Sequence, residues 1–134
     1  MSPVFADTAY FIALLNPVDQ YHSRAVELTR QPWGAMVTTT WVLVEVGDAF
    51  SQPSNRTKYA RLVALLQSTP GIEVLPPSAE QFESGTRFYA ARPDKSWSLT
   101  DCISFVIMRD RALSDALTTD HHFAQAGFRV LMSP

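Results

Sequence analysis

Four acidic residues stand where their chemistry is conspicuous. Asp7 interrupts the apolar run "SPVFADTAYFIALL", Glu45 lies inside "TTTWVLVEVGDAF", Asp101 opens "DCISFVIM", and Asp120 follows "ALTT". An unpaired carboxylate among apolar side chains is costly to bury, so each must reach water or find a partner. Clustered carboxylates repel one another and are tolerated when a cation sits among them. Hard divalent ions such as Mg2+ or Mn2+ prefer such oxygen ligands. A metal held that way lowers the pKa of a bound water and stabilises charge on the attacking and leaving oxygens of an in-line displacement, which is the chemistry of phosphodiester hydrolysis.

A simpler role competes for each acid. Aspartate is a favoured helix N-cap, and Asp7 before "TAYFIALL" and Asp120 before "HHFAQAG" both suit that position. Ser98 and Asp101 have capping-box spacing. Glu45 fits no cap and faces either a site or solvent beside Asp48. Taken singly the acids leave both roles open; taken together they fall one per strand-to-helix junction, and independent caps have no reason to share an edge.

The elements that would position them alternate along the chain. Strands are predicted over 4–6, 36–39, 72–75, 116–119 and 128–132. Helices are predicted over 8–15, 21–30, 41–50, 55–67, 79–91, 99–113 and from 121 to the glycine at 127. This alternation predicts an α/β domain with a mostly parallel central sheet flanked by helices. In such sheets ligands collect beyond the carboxyl ends of the strands, and Asp7 and Asp120 each follow a predicted strand.

The 134 residues are expected to form one domain, 1–134, with 46% hydrophobic and 18% charged residues and no repeat or low-complexity tract. No apolar run approaches the roughly 20 residues of a membrane span, and the N-terminus lacks a signal-peptide pattern, so a cytoplasmic protein is expected. Cys102 is the single cysteine. It cannot form an intrachain disulfide or a Cys/His zinc site and reads as a small buried side chain. A net charge of −2 argues against a broad basic face holding nucleic acid by phosphate neutralisation alone, although metal in an acidic pocket reverses the sign locally.

In order along the chain, "FADTAYFIALL", "TTTWVLVEVGDAF", "SWSLTDCISFVIM" and "ALTTDHHFAQAGFRVL" resemble the PIN-domain nucleases, particularly the small VapC-like toxins of bacterial toxin-antitoxin pairs. The resemblance implies a PIN-like three-layer fold and a Mg2+- or Mn2+-dependent endoribonuclease. It places Asp7, Glu45, Asp101 and Asp120 around the metal, with Thr8, Thr118 and Ser98 as hydroxyls that orient carboxylates or waters. It further implies a structured RNA substrate such as transfer RNA, an antitoxin that blocks the nuclease groove, and a homodimer. A PIN-like module that binds RNA or protein without cutting it is the alternative.

Other signals are weaker. His121 and His122, adjacent on a helix, should point about 100° apart and face solvent, with RNA contact as the lesser role. Arg56, Lys58 and Arg61 read as a solvated face that could touch phosphates. Arg92 and Lys95 precede Asp101 and are better placed to hold substrate; Trp97 would stack on a base if exposed but reads as core. The stripe Tyr59, Leu62, Val63, Leu65 and Leu66 reads as core or as a contact for a second chain. A receiver domain is excluded by the missing acids and lysine after the third and last strands, and a haloacid-dehalogenase-like phosphatase by the lack of a second aspartate in "ADTAY". No nucleophile elbow or phosphate-cradling glycine loop occurs.

Overall fold

Val4–Ala6 (β1) is the middle strand of a five-stranded, all-parallel sheet in this computed structural model, which describes residues 1–133. The other strands are Met36–Thr39 (β2), Ile72–Leu75 (β3), Asp115–Leu117 (β4) and Arg129–Val130 (β5), in the order β3-β2-β1-β4-β5. Phe5 stands level with Val37 on one side and Ala116 on the other. Covered on both faces, β1 and β2 are buried throughout, as expected of parallel strands written as continuous apolar or β-branched runs.

Seven helices connect and cover the strands: Thr8–Leu15 (α1), His22–Thr29 (α2), Thr40–Ala49 (α3), Arg56–Ser68 (α4), Ala79–Ala91 (α5), Leu99–Asp110 (α6) and His121–Gln125 (α7). The connections through α1–α4 step from β1 outward to β3, and those through α5–α7 carry the chain back past β1 to β5. Parallel crossovers are right-handed, so the two directions of travel put α1–α4 on one face and α5–α7 on the other. The direction reverses between β1 and β4. A crevice opens beyond the carboxyl ends of strands at such a switch point.

The core joins Phe5, Tyr10, Phe11, Met108, Leu117 and Phe123, all essentially inaccessible to solvent. Leu62 and Leu66 bring the inner face of α4 into it, whereas Leu65 of the same stripe is 60% exposed. Cys102 is buried, as expected. α5 and α6 form the most extensive helix pair, and Gly85 permits it: a Cβ there would run into the Ile103 side chain and approach its Cα to 3.1 Å.

Several boundaries differ from expectation. α6 stops at Asp110 rather than 113 because Ala112 adopts a left-handed conformation, φ 55°, and Leu113 N–H donates to Met108 O at 2.8 Å. This is the closing geometry usually given to glycine. β4 ends at Leu117, although Thr118 O beyond it still accepts from Met132 N–H at 3.2 Å. β5 shrinks to two residues, paired with β4 alone at the sheet edge. α3 begins one residue early because the Thr39 hydroxyl accepts from Val42 N–H at 3.1 Å and caps it.

Candidate functional site

Asp7 leaves β1 at the switch point. Its backbone N–H donates to Leu117 O at 3.1 Å, extending the β1–β4 pairing by one step. It occupies the N-cap position of α1, yet its side chain makes no capping bond. The carboxylate instead accepts from the Thr118 hydroxyl, 2.8 Å from Oδ2, and is only 5% exposed. The two roles open for Asp7 therefore resolve: it is buried, and it is not the cap of α1.

Glu45 comes from α3, after β2. It is partly buried and accepts from the Thr8 hydroxyl at 2.6 Å, so the residue after Asp7 reaches across to the second acid. Asp101 is the third residue of α6. Its N–H donates to Ser98 Oγ at 3.0 Å while Oδ2 accepts from Ser98 N–H at 3.2 Å, a complete capping box. Asp120 caps α7 through His122 N–H, 2.8 Å from Oδ1, and its own N–H donates to Thr118 Oγ1 at 3.0 Å. Asp120 is thus the cap of α7, and Asp101 is the reciprocal partner of the Ser98 cap of α6.

The electrostatics tie the four into one pocket. Burial, and then the charges of Asp101 and Glu45, push the Asp7 carboxyl up to about 7 against the opposing hydrogen bonds from Thr118 and the Thr8 backbone. Asp101 is also raised, first by burial and then by the charge of Asp120, with Ser98 and His122 acting the other way. Among the described residues no lysine or arginine forms an ion pair with any of the four. Each carboxylate is held instead by a protein hydroxyl, N–H or imidazole.

The donor set fits a hard divalent ion: four carboxylates, carried on four separate connections, face a deficit of positive charge that the protein does not itself supply. The closest-set group differs from the sequence expectation. One ligand atom each from Asp120, His121 and His122 lies within 4.8 Å of the others. The histidines do not both face solvent. His121 is exposed, but His122 folds back with Nδ1 at 3.3 Å from both Asp101 Oδ2 and Asp120 Oδ1, its side chain only 21% exposed. The rings come within 4.4 Å. As second residue of a helix capped by Asp120, His122 can turn its ring toward the cap, a local geometry that angular spacing alone does not reveal. It is the pocket residue the sequence reading missed.

Trp97 is core, 4% exposed, and unable to stack on a base. Its indole N–H donates to Gln125 Oε1 at 3.0 Å, linking the loop before α6 to α7. Arg56 is turned to Ser51 O at 2.8 Å.

The family model of the PIN domain matches residues 4–129. The 23S rRNA-specific endonuclease VapC20 of Mycobacterium tuberculosis (strain CDC 1551 / Oshkosh) is similar at 26% identity over 125 residues, 93% of this chain and 95% of that protein. Among solved structures, Mycobacterium tuberculosis VapC20, described as a sarcin-ricin loop cleaving toxin, superposes with a TM-score of 0.83 at 24% identity over 93% of this chain and 95% of that one. VapBC2 from Rickettsia felis, bound to a DNA fragment from their promoter, gives 0.67 at 12% identity over 96% of each chain. FitAcB from Neisseria gonorrhoeae gives 0.66 at 18%, again over 96% of each. At these identities the solved structures bear on the fold alone.

Proposed function

The chain belongs to the PIN domain family, and from that membership we propose that it is a divalent-metal-dependent endoribonuclease and the toxin of a toxin-antitoxin pair. What supports the reading is the β1–β4 switch point, where the charges of Asp101 and Glu45 act on Asp7 and that of Asp120 on Asp101, where Asp7 is pushed up to about 7, and where no lysine or arginine among the described residues pairs with the four. A binding module without chemistry gains nothing from that arrangement, which is unfavourable until a cation arrives.

In this reading the four carboxylates hold Mg2+ or Mn2+. When bound, such an ion activates water and neutralises charge on the phosphodiester oxygens. The protein's own part is positioning. Thr118 fixes Asp7 and, through Asp120 N–H, the start of α7. Thr8 aims Glu45. Ser98 fixes Asp101 through the capping box, and His122 bridges Asp101 and Asp120 with Nδ1 3.3 Å from each. Supporting groups of this kind typically change metal affinity or activity 10- to 100-fold, roughly, when removed.

The substrate is a structured RNA. Similarity to a 23S rRNA-specific endonuclease favours a ribosomal RNA hairpin over transfer RNA. The partners are a cognate antitoxin and a second copy of the chain, and the single domain works in the cytoplasm; no helix among the described residues is long and apolar enough to cross a membrane. The test is cleavage of end-labelled ribosomal and transfer RNA with Mg2+, with Mn2+ and with EDTA. Site-selective cutting that chelator abolishes and Mg2+ restores is expected. Cleavage that persists in excess EDTA would remove the metal from the reaction, and RNA binding without cleavage under any metal would leave only a binding module.

A further inference from the structure

A pocket of four carboxylates in a chain of net charge −2 repels RNA, so positive charge must lie close by to bring a phosphate backbone in. Arg24, Arg109 and Arg111 pair with Glu27, Asp110 and Glu73, and Arg129 opens β5 level with Asp115 at the start of β4, away from the carboxyl ends of the strands. Arg92 and Lys95 share a single carboxylate, Asp94, at 3.1 and 3.8 Å. Both lie on the loop entering α6, with the Arg92 guanidinium 5.0 Å and the Lys95 ammonium 5.9 Å from the centre of the Trp97 ring.

That platform is rigid. Trp97 is buried, stacked on Phe88 at 5.7 Å, met edge-on by Phe105 at 5.1 Å and anchored to Gln125. Asp94 takes two hydrogen bonds from Arg92, both 3.1 Å, which fixes the guanidinium plane and leaves its second amino group unengaged. Two cations against one carboxylate leave the loop a net charge of +1. A cleft of about 420 Å3 lies between them, with Tyr89, Ser96 and Cys102 also in its wall.

The loop stands at the end of α6 that carries Asp101. Gly85 meets Ile103, and Ser78 and Asp110 line one cleft, so α5 and α6 run antiparallel and the end of α5 lies at the Asp101 end of α6. Cys102 of the cleft wall is Asp101's neighbour. Cations pre-positioned on an aromatic face lose little side-chain freedom on binding, and a guanidinium with a free edge suits a phosphate oxygen. From these placements we propose that Arg92 and Lys95, seated on Trp97, form a binding subsite for a backbone phosphate of the substrate RNA, next to the scissile position. The proposal rests on the nuclease reading and names how that site holds its substrate.

The test measures binding of a fluorescein-labelled stem-loop RNA by anisotropy in Mg2+ across a salt series, with every protein carrying Glu45→Gln so that nothing is cut. Adding Arg92→Ala and Lys95→Ala should weaken binding about tenfold or more, given the usual strength of charge-assisted hydrogen bonds. It should also flatten the log-log salt slope by about 0.7, the value for one single-strand phosphate contact. Arg30→Ala with Arg129→Ala removes the same charge away from the carboxyl ends of the strands and should stay near the parent. Exchanging the cations, Arg92→Lys with Lys95→Arg, should keep the slope, which separates lost charge from lost packing on Trp97. An Arg92/Lys95 double variant with parental affinity and slope overturns the subsite, as does a parent that binds no RNA. If binding depends on the two cations but the wild-type protein never cleaves, the subsite stands and the nuclease reading falls.

Discussion

Asp7 and Thr118, 111 residues apart in the chain, are joined by one 2.8 Å hydrogen bond in which the threonine hydroxyl donates to the aspartate. The same oxygen accepts from Asp120 N–H at 3.0 Å, so a single fully buried hydroxyl couples the first acid to the element carrying the last. Thr118→Val keeps the shape and deletes both bonds. It should destabilise the protein by about 1–3 kcal/mol, the cost of leaving buried polar groups unpaired, and weaken metal binding. Thr118→Ser should restore most of both. Urea denaturation and Mn2+ titration of the three proteins check this.

The raised Asp7 carboxyl sets a pH dependence whose sign is opposite to that of an ordinary salt-bridged aspartate. Its pKa rises from 3.8 in the unfolded chain to about 7 in the fold, so the native state holds the proton more tightly. The stability this contributes is complete below pH 3.8 and is lost as pH rises toward 7, by on the order of 4 kcal/mol at most. Metal-free protein should therefore melt lower at pH 8 than at pH 5.5, and Asp7→Asn should flatten that difference while abolishing cleavage. Thermal melts in EDTA at the two pH values decide it. An Asp7→Asn protein with the wild-type pH profile would place the titrating group elsewhere.

If Asp7 holds the metal as proposed, uptake should release protons. At pH 6, Mn2+ binding measured by calorimetry in two buffers of different ionisation enthalpy should show net proton release, diminishing by pH 8 as Asp7 becomes ionised on its own. Equal buffer dependence at the two pH values would count against Asp7 as a ligand.

Asp101 carries two duties that substitutions can separate. Asp101→Asn keeps an oxygen for Ser98 N–H and should retain the fold while losing cleavage, since it removes a charge from the pocket. Asp101→Ala also deletes the reciprocal bond from Ser98 N–H, leaving the Ser98 cap itself in place, and should cost a further ~0.5–1.5 kcal/mol. Paired melts and cleavage assays distinguish the two losses, and an Asp101→Asn enzyme cutting RNA at the wild-type rate would take Asp101 out of the reaction.

Gly85→Ala tests the α5–α6 contact independently of the site. The added methyl meets Ile103, and overpacking of this kind typically costs about 1–3 kcal/mol. A melting temperature equal to wild type would mean that the helices part freely.

The alternation of strands and helices was legible because the two-sided burial of β1 and β2 is written as the unbroken runs "VFA" and "MVTT", and the breaks between them carry proline, glycine or capping residues. Asp7, Asp101 and Asp120 stood out in the sequence because each follows a strand or lies in the first turn of a helix, and Glu45 because it sits mid-helix among apolar residues. What stayed hidden was decided by contacts distant in sequence or by unusual backbone. Ala112 ends α6 without the glycine that would announce it. Asp7 looks like any N-cap until Thr118 arrives from β4 to claim its carboxylate. His122 was read by helical angle as facing solvent, and only the fold places Asp101 where its imidazole can turn inward.

The central place of β1 also governs when the pocket can exist. Parallel β1 needs β2 on one side and β4 on the other, and its acid depends on a hydroxyl 111 positions later. A growing chain halted before β4 already carries Asp7, Glu45 and Asp101, but its first strand has one open edge and Asp7 has no partner. Pairings this distant close late in folding. All but the last few elements must therefore leave the ribosome before the acidic pocket can form, and if that pocket is the nuclease site proposed above, partly made chains should be inert.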